Sequence, residues 1–433
     1  EKSCGNKCCT LRKYESAMKK IIFWYDKEDE VNSWIPEYDD WLKASPAFDE
    51  DSYGYWHKCL GIGDYVEPLS DHIDIEKRLL SDWEENDSLN IYALSIQQLI
   101  LSNFNGMGTI IDNIPYNTQQ LLRDKKLKLL ILNHREGWPA EKFLPSIKVH
   151  FEYNNMENID AYVFTANLKV DEKIWARDGI KRIFNVSEFE NITLQQNETN
   201  TEYKKHEKKN DYISLNRIVR SHRMALYSEL DRLQILDKGA FSFVGVSYLD
   251  KYPGDVVKAD KEDYVEIHKL LSGAQLDHFE KFEMKKRTVD VAHFFLNDPI
   301  DLYNTAYINL VTETHFMENS GFLTEKIFKS FIHYKPFLLM GEHGSLARLR
   351  DMGYHTFPEL FDESYDNILN PAERFNAVMN QLRNWCMKSK DQKDELIDSV
   401  ENKVIYNNNL FFSEKNISKK VKENLSMFEQ MEN

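Results

Sequence analysis

The sequence predicts an α/β protein of two parallel-sheet domains with a helical tail, and three observations carry that reading. Its 433 residues exceed one ordinary core and suit two domains. Short apolar runs rich in β-branched and aromatic residues recur between stretches of helical period, the pattern of strands buried on both faces. A polar tract at 187–211 interrupts that alternation near the middle of the chain.

The first strand is "IIFWY" at 21–25, ahead of a helical stretch containing Trp34 and Trp41. "LKLLILN" at 127–133 is a second, followed by "PAEKFLPSIKVHFEYNN", which keeps helical character despite Pro145. "DAYVFTANL" at 160–168 and "IKRIFNV" at 180–186 continue the alternation. We assign 1–195 to a first domain and 196–211 to a linker, whose basic run "KKHEKK" reads as a solvated loop. A second domain, 212–365, opens at "DYISLNR" and runs through the helical "SHRMALYSELDRL" to the strand "AFSFVGV" at 240–246. The strand "AYINLVTET" at 306–314, the helix "TEKIFKSFIHY" and the strand "KPFLLMG" at 335–341 complete its core. Residues 366–433 carry helical patterning around "AERFNAVMNQLRNWCM" and "KKVKENLSMFEQM".

Composition narrows the function classes. Acidic side chains outnumber basic ones, 71 to 55, and the net charge of −16 repels the phosphate backbone of nucleic acid at long range, so nucleic acid is not the expected partner. A local basic patch stays possible. The five cysteines, Cys4, Cys8, Cys9, Cys59 and Cys386, form neither a disulfide framework nor a zinc pattern, which points to a reducing, cytoplasmic setting. No apolar stretch approaches the ~20 residues that span a bilayer, and the chain reads as soluble. Asn-X-Ser/Thr triplets at Asn185, Asn191 and Asn197 are what an Asn-rich chain produces by chance.

The most specific chemistry lies in "MENSGFLTEKIFKSF", residues 317–331. Ile327, Phe328, Phe331 and Ile332 form one apolar face of a helix, and Thr324 is a suitable N-cap. Glu325 and Lys326 then fall in the first turn, where free N–H groups and the positive end of the dipole point outward. Such a helix start can hold a ligand with phosphates and hydroxyls. Glu325 would accept from sugar hydroxyls, Lys326 would offset phosphate charge, and Asn319 and Ser320 would add neutral hydrogen bonds. Taken alone, Glu325 reads equally well as a complement to the dipole. A second site reinforces the first reading: "RIVRSHRMALYSEL" places Arg217, Arg220 and Arg223 at a βα turn, where phosphates are commonly held.

These residues carry a resemblance. "ENSGFLTEKIFKSFIHYKPFLLMG" resembles the donor-binding segment of the alpha-1,3-fucosyltransferase family: Glu-Asn-Ser, a short spacer with an aromatic, Thr-Glu-Lys, a helix, then Pro and a strand ending in Gly. Arg223 looks like that family's diphosphate-binding arginine. The resemblance covers roughly 212–365. It implies two Rossmann-like domains facing across a cleft with C-terminal helices, an arrangement of the GT-B type, whose last helices commonly cross back to the first domain. It also implies that Asn319, Glu325 and Lys326 contact a nucleotide sugar and Arg223 its phosphates. Phe322 stands where the family usually carries tyrosine, and the spacer is shorter than usual, which leaves the base and sugar open.

The first domain would then supply the acceptor site and a general base. "LILNHREGWP" offers Glu136, directly after a strand and flanked by Gly137 and Trp138, with His134 as second choice. A loop Glu in solvent remains the plain alternative. The expected reaction is metal-independent and inverting: Glu136 takes the proton of an acceptor hydroxyl, which displaces the nucleoside diphosphate from the anomeric carbon. No Asp-X-Asp motif sits at a strand end of the second domain, and "YDDWL" and "DED" near the amino end read as solvated surface. The resemblance implies a GDP-linked donor carrying fucose or a related sugar and a glycan acceptor. Two alternatives are transfer to a modified DNA base and a non-catalytic sugar-binding protein. "GIG" at 61–63 and "GMG" at 106–108 lack the third glycine of a dinucleotide loop and read as turns.

Overall fold

The computed structural model describes residues 20–25, 69–70, 72–95, 111–112, 114–133, 140–166, 180–186, 190, 202–216, 219–243, 255–287 and 299–432. The chain divides into two compact units, Glu1–Asn191 with Glu414–Asn433, and Ile192–Ser413. Each is α/β and built on a parallel sheet. The helical stretch around Trp34 and Trp41, the glycine pairs at 61–63 and 106–108, and the acidic runs at 38–42 and 49–51 lie outside the described residues.

The first unit has six parallel strands, β1 (Lys20–Tyr25), β2 (Asp74–Leu79), β3 (Leu89–Ser95), β4 (Lys128–Asn133), β5 (Ala161–Thr165) and β6 (Ile180–Asn185), in the order β2-β1-β3-β4-β5-β6. Side chains alternate between its faces with the strand period of two. Ile22, Trp24, Leu129, Ile131 and Val163 share one apolar layer with Leu122 of α1 (Tyr116–Arg123) and Ile147 and Phe151 of α2 (Ala140–Tyr153). Ile21, Phe23, Leu130, Leu132 and Phe164 form the other. Burial on both faces is why these strands read as continuous apolar runs. Helix α2 continues through Pro145.

In this unit two strands, β2 and β3, lie outside the sequence pattern. In β2, "DIEKRL", four of six residues are charged, because it is an edge strand with its side chains tied in ion pairs, Lys20 to Asp74 at 3.1 Å and Arg78 Nε to Glu76 at 2.7 Å. In β3, buried Asn90 breaks the apolar run, and it is tolerated because its Oδ1 accepts from Trp24 Nε1 at 2.8 Å.

The second unit carries β7 (Asn210–Asn216), β8 (Gly239–Phe243), β11 (Ala306–Thr312) and β12 (Phe337–Met340) in a parallel sheet of order β12-β11-β7-β8. A separate antiparallel pair joins β9 (Val256–Val257) to β10 (Met284–Lys285). Helix α3 (Ser221–Arg232) connects β7 to β8, followed by α4 (Lys261–Leu270), α5 (Ala274–Phe279) and α6 (Ile300–Thr305) ahead of β11. Helix α7 (Glu325–Ile332) connects β11 to β12, and α8 (Ser345–Asp351) follows.

The tail from residue 366 is shared between the units. Helices α9 (Pro371–Met387), α10 (Lys390–Ser399) and α11 (Glu401–Phe411) belong to the second. Asn408 of α11 caps the carboxyl end of α7, its Nδ2 donating to Phe331 O at 3.0 Å and Ile332 O at 3.3 Å. Helix α12 (Glu414–Glu432) returns to the first unit, where Val421, Leu425, Phe428 and Met431 complete the second apolar layer.

Candidate functional site

In the second sheet the chain leaves β7 toward β8 on one side and comes back on the other side as β11. Beyond the carboxyl ends of strands at such a reversal an α/β sheet leaves a crevice. The two strand ends are locked together there. The Thr312 hydroxyl donates to Asn216 Oδ1, and Asn216 N donates to Ser242 Oγ at 2.9 Å, so β11, β7 and β8 are joined by buried side chains.

From β11 the chain enters the loop 313–324, which is built around three carboxylates. Glu313 Oε2 accepts from Thr324 N at 3.1 Å and from the Thr324 hydroxyl. Glu318 Oε2 accepts from the N–H groups of Phe316 and Met317 at 3.1 and 3.0 Å. Glu342, just beyond β12, accepts from Ser320 N at 2.8 Å, from Ser320 Oγ at 2.7 Å and from Gly321 N. Gly321 sits at φ 69°, a conformation that costs glycine nothing. Loop amides that a strand or helix would have satisfied are satisfied here by anions, which are the stronger acceptors.

Burial drives several titrations. It raises the pKa of Glu313, with Lys326 and Thr324 pulling the other way. Burial would raise Glu318 as well, but the His315 imidazole at 3.5 Å outweighs it and holds that carboxyl at about 2. His222 is pushed down to about 3 by burial and by Arg223 beside it. Its Nε2 lies 3.0 Å from Glu313 O, and since a carbonyl only accepts, the neutral ring carries its proton on Nε2.

The sequence-predicted residues now have places. Thr324 is the N-cap of α7, its side chain accepting from Lys326 N at 3.4 Å. Glu325 and Lys326 occupy the first turn, partly exposed, with Lys326 Nζ donating to Glu325 Oε1 at 2.7 Å and to Thr324 Oγ1 at 3.3 Å. Burial would raise Glu325, and Lys326 outweighs it and keeps the carboxylate ionised. Asn319 is exposed at the loop tip. Ser320 is buried against Glu342, and Phe322 is buried with its ring 5.2 Å from that of His315. Arg220 is the residue before α3 and is partly exposed. Arg223, 2% exposed, donates through one terminal nitrogen to Thr312 O at 3.0 Å and Glu313 O at 2.9 Å. It therefore pins the first turn of α3 to the end of β11. Glu136, His134 and Arg217 lie outside the described residues.

His315, Glu318 and Glu342 bring one ligand atom each within 4.8 Å of one another, the spacing at which a cation can be shared. Glu318 Oε2 and both oxygens of Glu342, however, already accept from the loop amides and the Ser320 hydroxyl. The Arg374 guanidinium, which attracts Glu342 and lies 4.6 Å from the Phe316 ring, offsets that carboxylate, and the His315 ring lies 3.5 Å from Glu318. The trio fits a loop staple better than a metal centre.

No family model matches the chain, and no curated protein does. Among solved structures it is similar to a T4 phage BGT in complex with UDP and Mn²⁺, at 11% identity and a TM-score of 0.43, over 96% of this chain and 100% of that one. It is also similar to the DNA-modifying enzyme beta-glucosyltransferase, solved in the presence and absence of the substrate uridine diphosphoglucose. That match has 12% identity and a TM-score of 0.42 over 96% and 99% of the two chains. Likeness at this level decides nothing about this chain, whose α/β architecture is read from its own sheets.

Sequence reasoning passed over His222, Glu313, Glu342 and Arg374. Only Glu342 had a local signal, a carboxylate one residue past the glycine that ends an apolar strand.

Proposed function

We propose that the chain is a glycosyltransferase whose second unit binds a nucleoside-diphosphate sugar at the β7/β11 reversal. The observation that carries this reading is the gathering of Arg220, Arg223 and the Glu325–Lys326 turn at one carboxyl edge of one sheet. Its residues suit the ligand. The first-turn N–H groups of α7 and Lys326 meet diphosphate charge, Glu325 accepts from sugar hydroxyls, and Asn319 adds a neutral contact. Arg220 offers a charge at the opening of α3, and buried Arg223 positions that opening against β11. Ser320 and Phe322 shape the loop.

In the proposed reaction Glu136 accepts the proton of an acceptor hydroxyl, whose oxygen forms the new bond to the anomeric carbon as the bond to the diphosphate breaks, with inversion. The leaving diphosphate takes up the electron pair, and Lys326 with the amino end of α7 stabilises it. We assign the donor to the GDP-sugar class and the acceptor to a glycan hydroxyl on the motif resemblance, and propose no metal requirement.

Calorimetric titration of GDP, UDP, ADP, CDP and dTDP, with and without Mn²⁺, tests the donor site. One nucleotide should bind selectively, and Lys326→Ala should weaken it about 10- to 100-fold, the worth of one charge-assisted phosphate contact. Unchanged affinity in that variant sinks the site. Glu136→Gln then separates enzyme from binder: a transferase loses most of its turnover at unchanged nucleotide affinity, whereas a sugar-binding protein loses nothing.

A further inference from the structure

The opposite, amino-terminal edge of the second sheet carries a different cluster. The basic run at 204–209 lies there beside the start of β11: Lys209 N donates to Thr305 O at 2.8 Å, and Lys208 Nζ to Asn304 O at 2.8 Å. From the connection between α7 and β12, Lys335 reaches the same place, its Nζ donating to Ala306 O at 3.1 Å. Lys335 is 5% exposed, and its ammonium is within hydrogen-bonding reach of Lys208. An ammonium has three donors, and each of these uses one on a carbonyl.

Neither lysine has a carboxylate within ion-pair distance among the described residues. The charged groups that face the pair are Lys204 and His206 on the incoming segment, with Asp301 acting on His206 and Asp394 on Lys208. Asp394 already accepts from Tyr307 at 2.7 Å. Burial, and for Lys335 the neighbouring charge, pushes both ammoniums below the ordinary lysine range. His206 is lowered by burial, then by Lys208 and Lys335. Two cations held together out of water repel each other, and that cost is relieved by losing a proton or by taking up an anion.

We propose that Lys208 and Lys335, with Lys204 and His206 at the mouth, form a binding site for a phosphate-class oxyanion, free phosphate or a phosphomonoester. Lys335, pushed down to about 6, takes up its proton as the anion binds, so that two ammoniums match a dianion and their remaining donors supply its hydrogen bonds. A phosphodiester backbone is monoanionic at each phosphate and too bulky to reach a lysine this buried. The site is separate from the donor edge and does not depend on the glycosyltransferase reading.

Thermal unfolding of the full chain at pH 7 tests the proposal, with sodium phosphate, glycerol 2-phosphate, a blunt DNA duplex without terminal phosphates, and sodium chloride at matched ionic strength. Phosphate and the monoester should each raise the midpoint by several degrees over chloride, and the duplex should not. Lys335→Met, an apolar replacement that suits burial, should abolish the shift, whereas Lys326→Ala should keep it. If Lys335→Met does not fold, Lys208→Met serves in its place and should at least halve the shift. The proposal fails if phosphate acts no differently from chloride, if the lysine variants keep the full response, or if Lys326→Ala removes it, which would place the phosphate at the donor edge. A response to the duplex but not to phosphate would overturn it in favour of a phosphodiester surface.

Discussion

At the scale of single residues, the loop 313–324 shows how buried anions can replace secondary structure. Glu342 accepts three hydrogen bonds from Ser320 and Gly321, so Glu342→Ala leaves those donors without a partner in a dry site. We expect a loss of about 2–4 kcal/mol in urea unfolding, with affinity for the proposed nucleotide donor falling as well because the loop leads into α7. Acid adds a second test. The folded pKa of Glu318 is depressed to about 2, so its contribution is full above the ordinary carboxyl value of 4.5 and disappears as pH falls from there toward 2. His222, neutral and pushed down to about 3 when folded, binds its proton more readily unfolded, and stability falls below its ordinary 6.5 for that reason. Stability should thus decline from pH 6.5 downward in two overlapping stages. Glu318→Gln should flatten the lower stage, and His222→Gln the upper, in denaturation midpoints measured from pH 7 to 3.

At the scale of elements, α7 is where local sequence and site coincide. Thr324 caps the helix and also donates to Glu313, so Thr324→Ala should cost about 1–2 kcal/mol and weaken the proposed nucleotide binding, while Thr324→Ser, which keeps the hydroxyl, should restore both. Its buried face of Ile327, Phe328, Phe331 and Ile332 was legible from spacing alone. The start of β8 makes a different point. A methyl group at Gly239 would lie 2.3 Å from the ring of buried Tyr212, whose hydroxyl is held by Ile235 O at 3.0 Å. With no room to give, Gly239→Ala should destabilise by about 1–3 kcal/mol or more, measured by urea unfolding. Gly239 lies one residue ahead of the strand read from sequence, and only the neighbouring ring makes it obligatory.

At the scale of the whole molecule, α12 ties the end of the chain to its beginning. Phe428 lies against Phe23 and Phe164 with ring centroids 6.2 and 5.6 Å apart, and Leu425 is wholly buried. Phe428→Ala should cost about 3–5 kcal/mol. Removal of residues 414–433 should leave the first unit with an open apolar face and an aggregating chain, seen as loss of the soluble peak in size exclusion. The helical period around Val421, Leu425 and Phe428 announces an apolar stripe in the sequence, yet nothing local says which sheet receives it.

What the sequence determined by itself was whatever a short window encodes. The central strands announce themselves because parallel strands covered on both faces must be apolar throughout. The start of α7 does so because a cap, a first-turn ion pair and an apolar stripe fall at fixed spacing. Charged β2 and Asn-containing β3 escaped the pattern, since an edge strand and a buried side-chain hydrogen bond both suspend the rule that strands are apolar. Tertiary structure alone decided the pairings between distant residues: Glu342 with Ser320, Arg223 with the end of β11, Lys208 with Lys335, and α12 with the first sheet. Each joins groups 22 to several hundred positions apart. No periodicity spans such distances, and only the folded chain sets the burial that turns a surface lysine or arginine into part of a wall.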